Sequence, residues 1–289
     1  MSNRSLGIVS FVIHLWLVNA NDIYAKYLEQ ELPFLQVSFF LFFFSFVTIV
    51  PVALFQGMGT FRTQTTGFHF LRSAVLFAAT LCWYWGLETV QITAATVISF
   101  SITLFLLPLA SLILKEKVGI KRVVATMIGF IGVLIVVGPF TPSFDPMVSI
   151  MLLGAFFYAL LEIMNKKHLE TESIVTMILY ASLFASLLTL GPAISVWKTP
   201  SSMHMIGLFV IGLMFNIVLF FLLKALSLED ASFLAPFMYL EIVFSVVMGY
   251  AVFGETPHVT TIIGGIVIVG GTLYIMVADR RETMKAVSR

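Results

Sequence analysis

Ten apolar runs, each roughly 16–24 residues long and parted by short polar or turn-forming breaks, fill this chain from end to end. They lie near Leu6–Tyr24, Phe34–Gln56, Gly67–Leu87, Thr93–Leu114 and Val123–Gly138, then Met147–Asn165, Ile174–Val196, His204–Leu223, Ala231–Phe253 and Val259–Val277. That length is close to the ~20 residues that ~30 Å of hydrocarbon requires at ~1.5 Å of rise each. The runs are too long and irregular for barrel strands, which alternate over ~10 residues. A backbone in lipid must satisfy its own hydrogen bonds, so each run is expected to be helical. Pro108, Gly132, Pro192, Pro236 and Gly249 do not count against this, because neighbouring helices can satisfy the groups they free. With 60% hydrophobic and 11% charged residues, the chain cannot cover such helices with a polar surface. The expectation is an all-α integral membrane protein of ten transmembrane helices, with the lipid bilayer as its surroundings.

Charge orients the chain. With a cytoplasmic amino terminus, Arg4, Arg62, Arg72, Lys115, Lys117, Lys121, Arg122, Lys166, Lys167, Lys224, Arg280, Arg281, Lys285 and Arg289 fall on the inner side, and Lys26 and Lys198 outside. These are all 16 Lys and Arg residues, and their bias is the positive-inside pattern of a multi-pass inner-membrane protein with both termini cytoplasmic. The first run is read as a span and not as a cleaved leader, because the second half of the chain contains its counterpart.

Shifting the chain by 139 residues lays the fourth and fifth runs on the ninth and tenth: Leu87 meets Leu226, Glu116 meets Glu255, and Gly132 meets Gly271. A shift of 141 lays Lys26-Tyr27-Leu28-Glu29 on Lys167-His168-Leu169-Glu170. The Gly138-Pro139-Phe140-Thr141-Pro142-Ser143 break separates the copies. The expected organisation is a first repeat at 1–138, an extracytoplasmic linker at 139–146 and a second repeat at 147–289. Five spans per copy is an odd number, so the second copy enters from the opposite face as an inverted repeat. Such repeats hold a substrate near the midplane and expose it alternately by rocking. A carrier of a small solute is therefore expected.

The remaining residues exclude other classes. A net charge of +1 carries no basic stripe for nucleic acid. Cys82 is the sole cysteine, so no internal disulfide or thiolate metal site is expected. There is no His-Glu-x-x-His, no Gly-rich phosphate loop and no Ser/His/Asp arrangement, so no catalytic residue, metal or cofactor is expected. An integral-membrane lipid enzyme is the remote alternative.

Ala94-Ala95-Thr96-Val97-Ile98-Ser99-Phe100-Ser101, Pro108, Lys115-Glu116-Lys117 and Gly129-Phe130-Ile131-Gly132-Val133 resemble the EamA branch of the drug/metabolite transporter superfamily. The resemblance spans nearly the whole chain. It implies a ten-helix carrier with cytoplasmic termini and a central cavity between the halves. A narrower resemblance, to bacterial S-adenosylmethionine uptake carriers, lies in Ala20-Asn21-Asp22, Lys26-Tyr27-Leu28, Asn165-Lys166-Lys167, Phe220-Phe221-Leu222-Leu223-Lys224-Ala225 and Tyr239-Leu240-Glu241. It implies uptake, or exchange, of S-adenosylmethionine. Leu41 and Met238 depart from that pattern where an arginine would meet a substrate carboxylate.

Ionisable groups inside spans cost ~2.5–3.5 kcal/mol each, so each needs a reason. Glu241, mid-span after Tyr239-Leu240, can bind a cation or coupling proton, or be bonded to a neighbouring helix. Asp22 can do the same, or pair with Lys26 on one helix face. Glu162 and Asn165, near the inner end of the sixth span, can pair beside Lys166 close to water or serve a function. Asn216 suits interhelical bonding or a polar substrate group, and His14 suits a satisfied interior or a proton relay. Trp83, Tyr84, Trp85, Tyr158 and Tyr239 can stack on a nucleobase or face a sulfonium, with the interfacial belt the first expectation for Trp83 and Trp85. The substrate-contact candidates are Glu241, Tyr239, Asn216, Tyr158, Trp85, Tyr84, His14 and Asp22. Their acidic and aromatic character favours a cationic or zwitterionic small molecule. S-adenosylmethionine qualifies, as do amino acids, quaternary amines or lipophilic cations carried with a proton.

Overall fold

The computed structural model describes residues 3–113, 145–169, 171–229 and 240–267, with isolated helical positions at 124, 127, 128, 131, 132, 135, 234 and 270. All regular structure among the described residues is helical. The α-helices are α1 (Asn3–Glu29), α2 (Phe34–Gln56), α3 (Thr66–Leu87), α4 (Ile92–Ser99), α5 (Ser101–Ile113), α6 (Pro146–His168), α7 (Ile174–Ser195), α8 (Ser202–Leu228) and α9 (Leu240–Phe253), with a 3-10 turn at Met58–Phe61. A further helical run occupies 259–267. Seven spans among the described residues are long and apolar enough to cross a membrane, Ile92–Ile113 counting as one. Most of the expected fifth span and of the linker at 139–146, the Lys115-Glu116-Lys117 motif and the basic tail lie outside the described residues.

The helix starts are written in local chemistry. Asp145 accepts from the Met147 amide at 2.9 Å with Pro146 at the first helical position, and the Ser173 and Ser201 hydroxyls cap α7 and α8. The expected fourth span is not one helix. It breaks at Phe100, where Ser99 Oγ bonds the Thr96 carbonyl at 2.7 Å and Ser101 Oγ bonds the Ile98 carbonyl at 2.6 Å. Hydroxyls that bond back to their own helix compete with its ladder and bend it.

Hydrogen bonds between connections define the two ends of the bundle. At one end the Thr63 and Thr65 hydroxyls donate to Glu172, and the Tyr180 hydroxyl to the Phe61 carbonyl. At the other end Lys26 Nζ donates to Glu255 and to the Val90 carbonyl, each at 2.7 Å, and Thr89 donates to Asp145. There, too, Gln36 and the Lys198 backbone bond reciprocally. Helix α1 therefore runs toward the Lys26 end, whereas α6 starts there and runs away from it. The same bonds redirect Lys26: its partner is Glu255, not Asp22. Glu255 also accepts from the Ile92 amide at 2.7 Å, tying the start of α4 to the end of α9.

Packing joins early helices to late ones. Helix α1 packs on α8, α3 on α6, α2 on α7, and α4 on α9. Small residues set the closest approaches, as expected where lipid removes the hydrophobic drive and van der Waals fit decides. At Gly212 of α8, an added Cβ would lie 2.5 Å from Phe44 Cβ and 2.8 Å from the Ser45 amide nitrogen of α2. Gly212→Ala is expected to cost ~1–3 kcal/mol by overpacking, read as a lower apparent Tm in detergent. Gly191→Ala, with nothing within 4 Å of its added Cβ, is expected to leave Tm unchanged or slightly raised.

Candidate functional site

The cavity between these helices is built from stripes at helical spacing. Helix α1 contributes Phe11, His14, Leu15, Val18, Asn21 and Asp22; α3 contributes Leu76, Thr80, Trp83 and Tyr84. Helix α6 gives Tyr158, Leu161, Glu162 and Asn165, and α8 gives Phe215, Val218, Leu219 and Leu222. Steps of three and four residues keep each set on one face. Ser99, Ile102 and Glu241 close the ring. The space is about 130 Å³, enough for on the order of ten waters.

The walls are apolar, and the polar groups are few and placed. Trp83 Nε1 donates to Asp22 Oδ2 at 2.8 Å, and Asn21 Nδ2 to the Tyr84 hydroxyl at 3.2 Å. Asn19, behind the wall, donates from Nδ2 to Glu241 Oε1 and to Thr96 Oγ1, both at 3.3 Å. The Thr80 and Tyr158 hydroxyls are 3.4 Å apart, and the Tyr158 ring meets Trp83 edge-on with centroids at 6.1 Å. His14 Nδ1 is bonded to the Val218 carbonyl at 3.0 Å, which leaves its other nitrogen for the cavity. Three carboxyl groups line the space, and no Lys or Arg is among the described lining residues.

Arg72 stands one layer behind the wall. It is 1% exposed, donates from Nη1 to Asn165 Oδ1 at 2.7 Å, and donates from Nη2 to the Met177 carbonyl. Outside the spans, Glu172 seals this end. Burial pushes its carboxyl up, but the Thr63 and Thr65 hydrogen bonds and nearby His69 outweigh that and hold it below the ordinary range.

Of the sequence candidates, Asp22, Glu241, His14, Tyr84 and Tyr158 converge on the cavity. Asn216 and Trp85 do not line it. Asn216 bonds across to α2, accepting from Ser45 Oγ and donating to the Ser45 carbonyl and Thr48 Oγ1. Trp85 is 42% exposed and stacks on Phe34 with centroids 5.9 Å apart, as an interfacial residue does. Tyr239 lies outside the described residues. Asn21 and Thr80 line the cavity without being candidates from sequence, and Trp83, for which the interfacial belt is the first expectation, lines it too. Their signal is the stripe itself: Asn21 and Asp22 follow His14 and Val18 at the spacing of one face.

The sequence profile of the EamA-like transporter family matches residues 5–138 and again 146–277. The chain is 38% identical to the S-adenosylmethionine uptake transporter of Rickettsia prowazekii over 276 residues, 96% of this chain and 94% of that one. To the S-adenosylmethionine uptake transporter of Rickettsia bellii it is 36% identical, covering 99% of each. To the riboflavin transporter of Vibrio cholerae it is 31% identical, over 93% of this chain and 91% of that one. One crystal structure, 15% identical, superposes with a TM-score of 0.68 over 97% of this chain and 98% of the other, a likeness of fold.

Two outcomes follow from these contacts. Asn216→Ala takes the acceptor from the buried Ser45 hydroxyl, while Thr48 keeps its bond to the Phe44 carbonyl, and is expected to cost ~1–3 kcal/mol in stability, seen as a lower Tm, with ligand affinity unchanged. Because the Glu172 carboxyl sits below its unfolded value, its contribution is complete above that value and is lost as pH falls through the folded one. As pH falls from about 5 to about 3, the Tm of the unmodified protein should therefore fall more steeply than that of Glu172→Gln.

Proposed function

The chain belongs to the EamA-like transporter family, and on that premise we propose that it carries S-adenosylmethionine across the inner membrane by alternating access. It is a multi-pass membrane transporter and not an enzyme. The observation that carries the substrate is the lining of the central cavity. Asp22, Glu162 and Glu241 face one apolar space without a Lys or Arg beside them, and Trp83, Tyr84 and Tyr158 stand around them. Carboxyl groups in a low-dielectric space favour a cation, because an unpaired charge there is costly. S-adenosylmethionine brings a sulfonium and an ammonium. Aromatic faces add ~0.5–2 kcal/mol each for such cations and can stack on the adenine. The names of the Rickettsia relatives agree with this reading.

Ten helices in two inverted repeats, with both termini in the cytoplasm, complete the proposal. The packing supports it: α1 on α8 has its mate in α3 on α6, α2 on α8 in α3 on α7, and α1 on α9 in α4 on α6. A two-fold operation is its own inverse, so every contact between one helix and another's counterpart must recur with the roles exchanged. The opposite senses of α1 and α6 agree with an axis in the membrane plane. Arg62, Lys166, Lys167 and Lys224 cluster toward the end opposite Lys26 and Lys198, which supports the cytoplasmic assignment.

Uptake of radiolabelled S-adenosylmethionine into proteoliposomes tests the reading. Saturable uptake is expected, with Asp22→Asn and Glu241→Gln each raising KM about tenfold or more. Absence of saturable uptake with folded protein in the bilayer would refute it. Uptake of quaternary amines or amino acids instead, driven by a pH gradient and lost in Glu241→Gln, would favour a proton-coupled carrier of those cations.

A further inference from the structure

At the floor of the cavity, Arg72 imposes an orientation on Asn165. A guanidinium has only donors, so the amide atom 2.7 Å from Nη1 must be the Asn165 oxygen. The Nδ2 group is thereby turned the other way. Asn165 is 1% exposed and lines the cavity, yet its Nδ2 has no hydrogen-bond partner among the described residues. A buried donor without an acceptor is costly and asks what fills it. Arg72 poses the same question in charge. Its described hydrogen-bond partners are an amide and a peptide carbonyl, and its Nε is unpartnered. Glu172, which acts on it electrostatically, is bonded instead to Thr63 and Thr65. A positive charge thus lies one amide behind the cavity wall without a carboxylate bonded to it among the described residues. One turn earlier on the same face of α6, Glu162 lines the cavity as an acceptor.

We propose that Glu162 and Asn165 form the subsite for an α-amino-acid head group, Asn165 Nδ2 donating to the carboxylate and Glu162 accepting from the ammonium. Arg72 is the positioning residue: it fixes the amide, polarises its N–H bonds through a hydrogen-bonded chain, and supplies the buried charge that the carboxylate offsets. The two groups of an amino-acid head sit on one carbon, and a donor and an acceptor one helical turn apart match them. Asp22 and Glu241, together with Trp83 and Tyr84, are left for the cationic and aromatic remainder of the solute. This inference rests on the reading of the cavity as the transport site. It gives the solute's carboxylate a partner in a lining otherwise set against anions.

Decarboxylated S-adenosylmethionine keeps the sulfonium, the amine and the adenosine, and lacks only the carboxylate. Binding of both compounds is measured on purified unmodified protein, Asn165→Asp and Asn165→Ala. Asn165→Asp keeps an oxygen for Arg72 and replaces the donor by an acceptor; Asn165→Ala removes the donor together with the oxygen that Arg72 bonds. Both variants are expected to weaken S-adenosylmethionine about tenfold or more while binding the decarboxylated compound within about twofold of the unmodified protein. Glu162→Gln is expected to weaken both compounds alike, because both keep the amine. Equal weakening of the two compounds in the Asn165 variants, or no change in either, overturns the carboxylate assignment. No effect of Glu162→Gln on either overturns the ammonium assignment. If the unmodified protein binds neither compound, the transport reading itself fails, and that result is distinct from the others.

Discussion

A polar side chain at membrane depth must find its partner inside the protein, and this constraint shapes everything else in the structure. Arg72 is met by Asn165, Asn216 by Ser45 and Thr48, Glu241 by Asn19, and Asp22 by Trp83. Three of these four bonds join an early helix to a late one, so the polar groups hold the bundle in register while close packing at Gly212 and Gly86 brings the helices together. Groups at the central cavity have room for a partner that is not protein. That is why the carboxyl groups most expensive to bury are also the ones available to a solute.

The cavity has a sidedness that composition alone would not suggest. Acids on α1, α6 and α9 face it directly, whereas the nearest guanidinium acts through an amide. A zwitterionic cation with two positive centres and one negative suits such a lining better than an anion or an uncharged solute does. Placing the arginine behind the wall also keeps it from pairing with Glu162 or Asp22, which would neutralise the site it serves.

Much of this was legible in the residues. Apolar run length gives the described spans, and the positions of Lys and Arg agree with the hydrogen bonds that place loops 57–65 and 171–173 at one end and Lys26 and Lys198 at the other. Asp22, Glu241, His14, Tyr84 and Tyr158 can be picked out because charge or hydrogen-bonding capacity within a span demands an explanation. Facing cannot be read as easily. In a helix apolar on all sides, periodicity does not separate the lipid face from the interior, so Trp83 and Trp85 look equivalent although one meets Asp22 and the other meets Phe34. Long-range partners are hidden for the same reason: Lys26 sits four residues from Asp22 yet bonds Glu255. The break at Phe100 has its signal in Ser99 and Ser101, whose hydroxyls each bond the carbonyl three residues back.

The central claim is that the space among α1, α3, α6 and α8 is where the solute sits during transport. Thr80 faces that space, and Cys82 can be replaced by Ser to leave a single engineered thiol in Thr80→Cys. The rate at which a water-soluble thiol reagent labels this cysteine in membranes tests the claim directly. Saturating S-adenosylmethionine should slow labelling severalfold, with half-protection at the concentration that half-saturates uptake. A labelling rate indifferent to S-adenosylmethionine, in protein that still transports it, would place the solute elsewhere and contradict the account.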